Sequence, residues 1–198
     1  MTTTTSARPT LIDHLWLARD RSAVRMAILA LLGSGFLWAS AKAQVPMWPV
    51  PMTMQSYVVL VIGMAYGARL AAATVALYLV EGVLGLPVFA GTPERGIGLA
   101  YMMGPTGGYL VGFLIAAWAM GWLAERGWDR RLWRAVVAMS LGTVLLFVPG
   151  VAWLGHLIGW EKAVGLGLTP FIVGSVLKLA LAAATLPLAW RLAQRQSG

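Results

Sequence analysis

"AVVAMSLGTVLLFVPGVAWLGHLIGW", residues 135–160, runs for 26 positions without Asp, Glu, Lys or Arg. A helix needs about 20 apolar residues to cross the hydrocarbon of a bilayer, so this stretch is long enough to span. Reading outward between charges marks further uncharged or nearly uncharged stretches at 26–41, 52–68, 70–90, 96–124 and 163–190. By length the first two are marginal and the fourth includes some loop. Of the 198 residues, 59% are hydrophobic and 11% charged, and the mean hydropathy is +0.76, too apolar for an ordinary polar surface. The fold class read from this pattern is all-α integral membrane: a compact bundle of six transmembrane helices.

Charge sets the expected orientation. With the N-terminus inside, the inner segments hold Arg8, Arg19, Arg21, Arg25, Arg69, Arg126, Arg130, Arg131, Arg134, Arg191 and Arg195, eleven in all, against Lys42, Arg95 and Lys162 in the outer loops. Lysine and arginine favour the cytoplasmic side, so both termini are expected to be cytoplasmic. The net charge of +8 does not point to nucleic acid, because the basic residues lie between apolar runs and form no single polar face. The group Arg126, Arg130, Arg131 and Arg134 suits anionic lipid headgroups. Cysteine is absent, which removes disulfides and thiolate metal sites.

The expected division is a cytoplasmic tail over 1–24, a membrane domain over 25–194 and a second tail over 195–198. In the first tail Leu11, Ile12, Leu15 and Trp16 recur at helical spacing among Asp13, His14, Arg19 and Arg21, a pattern for a short helix on the membrane surface. The basic region ending at Arg25, the apolar run after it and "ASA" at 39–41 imitate a secretory signal. The uncleaved reading is the one that keeps the eleven-to-three asymmetry.

The expected outer connections carry the unusual chemistry. "AQVPMWPVPMTMQ", residues 43–55, holds Pro46, Pro49 and Pro51. Proline lacks an N–H and pushes the residue before it toward extended geometry, so this segment reads as a rigid strap between the first two spans. Met47, Trp48 and Met52 within it favour a packed loop over a plain surface turn. Gly35, Ala39 and Ala43 stand four apart on the first span, a face that another helix can approach closely. "MGPTGGYLVG" at 103–112 opens the fourth span, with Pro105 suited to a first turn and glycines that allow close backbone contact. It lacks the pattern of a phosphate-binding loop.

Lys178 stands inside the sixth span, roughly 12 Å along its axis. A lysine there costs on the order of 3 kcal/mol by insertion scales, so it needs a partner or a task. Ser175 precedes it by three on the same face. Glu81 in the third span is the internal counter-charge for a structural pair; a ligand-facing lysine is the functional alternative.

With these residues in view, the sequence resembles the BioY family, the biotin-binding membrane subunits (S components) of energy-coupling-factor transporters. The resemblance runs from about residue 30 to the end and rests on "AQVPMWPVPMTMQ", "GLPVFAG" at 85–91, "GPTGGYLVGF" at 104–113 and "PFIVGSVLKLALA" at 170–182. It implies a six-helix fold in a bacterial inner membrane and a biotin pocket on the outer side built from the loops and the sixth helix. It also implies partners, a transmembrane coupling subunit touching Gly35, Ala39 and Ala43, and two cytoplasmic ATPases, with no cofactor. Ser175 and Lys178 are the expected polar contacts to biotin, with Tyr101, Trp48, Val88 and Phe89 as walls. The family motif usually has an aspartate where this chain has Ser175, which makes Glu81 or the ligand carboxylate the counter-charge for Lys178. Arg95, in "GTPERGIG", either meets a carboxylate near the pocket mouth or lies in solvent.

Other classes fit less well. A membrane enzyme would need an acid–base or metal constellation, yet His14 and His156 fall at opposite sides of the membrane. A homo-oligomeric channel or scaffold, or an S component for another vitamin, remains as the alternative reading. No nucleotide-binding motif occurs, so ATP hydrolysis would belong to separate subunits.

Overall fold

In the computed structural model, residues 9–15 and 22–196 are described. In chain order the elements are α1 (Leu11–Leu15), α2 (Ala23–Lys42), β1 (Gln44–Val45), β2 (Met52–Thr53), α3 (Gln55–Tyr66), α4 (Ala68–Val83), α5 (Gly98–Met102), α6 (Gly107–Ala124), α7 (Leu132–Ile158), α8 (Trp160–Gly167) and α9 (Phe171–Gln196). Helices dominate because a chain this apolar must satisfy its backbone groups internally wherever lipid replaces water.

Four of these helices are long and apolar enough to cross a membrane: α2, α6, α7 and the Phe171–Trp190 part of α9. The stretches at 52–68 and 70–90 yield shorter helices, 12 residues in α3 and 16 in α4. They are shorter because Met52 and Thr53 are spent on a strand and because α4 stops at Val83. The stretch at 96–124 divides into α5 and α6, so Pro105 precedes the helix that it was expected to begin and Thr106 is the capping position. A short helix, α1, forms near the N-terminus, with Leu11 buried beside Trp190; Trp16, Arg19 and Arg21 lie outside the described residues. Ala39–Ala41, the signal-like triplet, sits within α2.

The central helix is α6, which packs against α3, α4 and α7. Its approach to α7 is a glycine contact, since a Cβ on Gly112 would overlap the backbone of Leu146. Tyr78, Phe89, Met64, Met120, Met139 and Leu154 fill the space around it and are almost wholly buried. At one end of the bundle a single residue, Gly67 at φ +81°, turns α3 into α4. The first N–H of α4, from Ala68, donates to Glu125 Oε1 at 2.9 Å, a carboxylate suited to a helix N-terminus. At the same end Trp190 Nε1–H donates to Asp129 Oδ2 at 2.6 Å, and Arg130 lies 4.7 Å from the Trp190 ring.

At the other end the proline strap is a hairpin. Gln44 pairs with Thr53 and Val45 with Met52 in an antiparallel ribbon, and residues 46–51 connect the two strands. Val50 is buried against the core and Trp48 points away from it. The expected packed strap is present, with a short ladder that proline content alone did not foretell.

Candidate ligand-binding site

A cavity of about 50 Å³ lies beneath the hairpin. Val50, Pro51 and Thr53 come from the hairpin, Gln55 and Ser56 from the first turn of α3, and Ala90 from the segment between α4 and α5. Tyr101 and Thr106 flank the start of α6, which adds Tyr109, Leu110 and Phe113; Leu146 and Phe147 of α7 with Phe171 and Lys178 of α9 complete the lining. Aromatic rings give the walls a fixed shape: Phe147 meets Tyr109 and Phe171 edge-on, each at 5.9 Å between centroids. Tyr109 is itself anchored, its hydroxyl donating to Gly167 O at 2.8 Å.

Among the described residues, Lys178 is the only charged one in the lining. Its ammonium donates to Thr53 O at 2.5 Å and to Ser56 Oγ at 3.3 Å, so it fastens α9 to the hairpin and to the head of α3. Both acceptors are neutral, and among the described residues no carboxylate bonds to it. The Glu81–Lys178 pair, the structural alternative to a ligand-facing lysine, is therefore not formed among the described residues, and Glu81 does not line the cavity. Glu81 accepts instead from the hydroxyl of Ser34 on α2, which lies beside it across the α2–α4 contact.

Ser175 does not face this cavity. It lines a separate apolar groove of about 600 Å³ between α7 and α9, with Val144, Val148, Ile172 and Val176. Three residues on a helix leave about 60° between side chains, and α9 stands at the edge of the bundle, where that angle separates the interior from the outer surface. Trp48, at 74% exposure, is no wall either, because the ribbon turns it outward. Val88 and Phe89 are buried one layer behind the cavity: Phe89 stacks on Tyr101 at 4.9 Å, and Val88 O accepts from the Tyr78 hydroxyl at 3.0 Å. Ala90, the residue after them, reaches the lining. Arg95 neither faces the cavity nor lies free in solvent. Its guanidinium donates to Met47 O at 2.7 Å and Pro49 O at 3.4 Å, tying the second loop to the hairpin. Tyr101 lines the cavity, with its hydroxyl donating to Ala90 O at 2.8 Å. Gly35 and Ala39 are exposed on α2 and Ala43 just beyond it, and a Cβ on Gly35 would meet no atom within 4 Å.

A profile of the BioY family matches residues 10–195. The chain belongs to the BioY family. The probable biotin transporter BioY of Pyrococcus horikoshii is 37% identical over 142 residues, covering 72% of this chain and 82% of that protein. The biotin transporter BioY of Thermotoga maritima is 33% identical over 161 residues, covering 81% and 92% respectively. Among solved structures, the S-component for biotin from an ECF-type ABC transporter superposes with a TM-score of 0.76 at 20% identity, over 88% of this chain and 95% of that one. That likeness shows that the two chains share a fold.

Several lining residues of this BioY chain were not singled out by sequence. Gln55, 3% exposed, donates from Nε2 to the Tyr78 hydroxyl at 2.6 Å and accepts from Thr53 Oγ1 at 3.3 Å. A buried amide at the first turn of an apolar helix is a signal in itself, since burial of such a group needs hydrogen-bond partners. Thr53, Ser56, Thr106 and Tyr109 carry no comparable signal, being common residues that the fold happens to bring to one cavity.

Proposed function

We propose that this chain captures biotin in the cavity beneath the hairpin and acts as the S component of an energy-coupling-factor transporter, in the cytoplasmic membrane of a bacterial cell. Lys178 carries the reading: an ammonium at the cavity wall, held by two neutral oxygens, among aromatic and aliphatic side chains. Biotin has a ureido ring with one acceptor and two donors, an apolar fused ring and chain, and a carboxylate. A mostly apolar pocket with a few placed polar groups is the matching solution. Lys178 meets an oxygen of the ligand, while Gln55 and Thr53 are the polar groups for its remaining donors and acceptors. The cavity of about 50 Å³ is below the roughly 300–1,000 Å³ of usual ligand sites, so capture includes movement of the hairpin or of the 84–97 segment.

The topology that supports capture from outside has six membrane-crossing helices, α2, α3, α4, α6, α7 and α9. Both termini are cytoplasmic, in line with eleven basic residues on that side against three on the other. The exposed stripe of Gly35, Ala39 and Ala43 is the face for the transmembrane coupling subunit, two ATPase subunits supply the energy, and the chain itself carries out no reaction.

Equilibrium binding of biotin to the purified protein in detergent, with thiamine and riboflavin as controls, tests the reading. Lys178→Ala is expected to weaken binding about a hundredfold, or about 2.7 kcal/mol, with folding intact by thermal unfolding. A folded wild type that ignores biotin defeats the assignment.

A further inference from the structure

We propose that Lys42, the last residue of α2, positions one wall of the pocket by supplying the cation around which residues 87–92 fold. The inference rests on the reading that the cavity beneath the hairpin is the ligand site. Lys42 Nζ lies 2.9 Å from Pro87 O, 3.4 Å from Phe89 O, 3.2 Å from Thr92 O and 3.3 Å from Thr92 Oγ1. Four oxygens of one short segment thus converge on a single ammonium that comes from another helix. The Thr92 hydroxyl also donates to Phe89 O at 2.6 Å, which aligns two of the acceptors.

The carbonyls between and beside those held by Lys42 are held by tyrosines. Val88 O accepts from Tyr78 of α4 and Ala90 O from Tyr101 of α5. The segment has no helix or strand of its own, so its shape is set by these side chains. Thr92 is 6% exposed, so loss of the ammonium leaves its carbonyl short of a donor in a largely buried place, whereas Phe89 O keeps the Thr92 hydroxyl and the exposed Pro87 O can turn to water. Ala90 lines the cavity and Phe89 stacks on Tyr101, which also lines it. An error in the path of residues 87–92 is therefore passed to the ligand site, although Lys42 itself touches no part of the lining.

The ammonium lies among three carbonyl oxygens and one hydroxyl, all of which favour a positive charge. That gives the proposal a chemical test that a purely steric role for the side chain would not pass. Lys42→Met keeps an unbranched apolar stem as far as the ε position and removes the ammonium; Lys42→Ala opens the space.

The experiment measures biotin dissociation from wild type, Lys42→Met, Lys42→Arg and Lys42→Ala in detergent, together with hydrogen exchange of the 86–96 backbone in the unliganded proteins. The expected result is faster exchange and at least tenfold faster biotin release in Lys42→Met, and near wild-type behaviour in Lys42→Arg. Ethylammonium, but not choline at equal ionic strength, restores Lys42→Ala. Unchanged exchange in Lys42→Met overturns the tie itself. Faster exchange with unchanged biotin release overturns its role at the pocket. Absence of biotin binding by wild type defeats the functional reading instead, and hydrogen exchange then judges the cation's structural role alone.

Discussion

Gly82→Ala should destabilise the protein, although an added methyl in a helix normally helps. Gly82 lies in the last turn of α4, and three carbons of the Phe89 ring lie where its Cβ would stand. Phe89 has no room to retreat: it is 1% exposed, packs edge-on to Tyr78 at 5.5 Å and stacks on Tyr101 at 4.9 Å. Overpacking of this kind costs about 1–3 kcal/mol, and each disturbed aromatic pair forfeits part of about 0.5–1.5 kcal/mol. Replacing glycine by alanine returns up to about 1 kcal/mol of helix propensity, so the net loss is about 1–3 kcal/mol. Thermal unfolding in detergent would report it, and the double variant Gly82→Ala/Phe89→Leu separates the terms, because contacting residues couple. With the smaller side chain at 89 the methyl should cease to be harmful. A Gly82→Ala protein as stable as wild type, or more so, would refute the claim that the slot is filled by Phe89.

Two further outcomes follow from single groups. Gln55→Leu removes the donor to the Tyr78 hydroxyl and a polar group of the cavity; biotin affinity should fall about tenfold, the worth of one hydrogen bond near 1.4 kcal/mol, by the same equilibrium binding measurement. Asp129, fully buried between α6 and α7, has its carboxyl held above the usual carboxylate range by burial, with the Trp190 hydrogen bond acting in the opposite sense. The folded state thus binds this proton more tightly than the unfolded one, so Asp129 contributes most below the unfolded value near about 4 and loses that contribution as pH rises through its folded value. Asp129→Asn keeps an acceptor for Trp190 and has no such titration. Measured by thermal unfolding, wild type should lose ground against it from pH 4 to pH 8, and a constant difference would exclude the effect.

Hydropathy revealed α6, α7 and α9 readily, because apolar runs of that length have few other uses. It overstated α3, since 52–68 is uniformly apolar whether its first residues lie in a strand or a helix. The prolines marked the hairpin, and the expense of an intramembrane charge marked Lys178. What the sequence could not supply was direction. The partners of Lys178 are a backbone carbonyl and a serine, neither of which stands out in a sequence. Whether Ser175 shares the cavity depends on where the edge of α9 falls. Val88, Phe89 and Ala90 are consecutive apolar residues, and only the path of an irregular segment decides which of them reaches the lining.

The neutral surroundings of Lys178 also bear on what the pocket should prefer. Thr53 O and Ser56 Oγ solvate the ammonium without cancelling its charge, and Glu81, the acid considered for that task, is occupied with Ser34. A ligand carboxylate brought within about 4 Å would gain about 4 kcal/mol of Coulomb attraction at the effective dielectric of a site near the protein surface. Part of that gain is offset by stripping water from both ions. A negative charge at residue 175 would compete poorly for the lysine here, because this face of α9 looks into the groove toward α7. With only neutral oxygens on Lys178, its charge is available to the ligand, and biotin should bind more tightly than its methyl ester, which keeps the rings and chain but carries no charge.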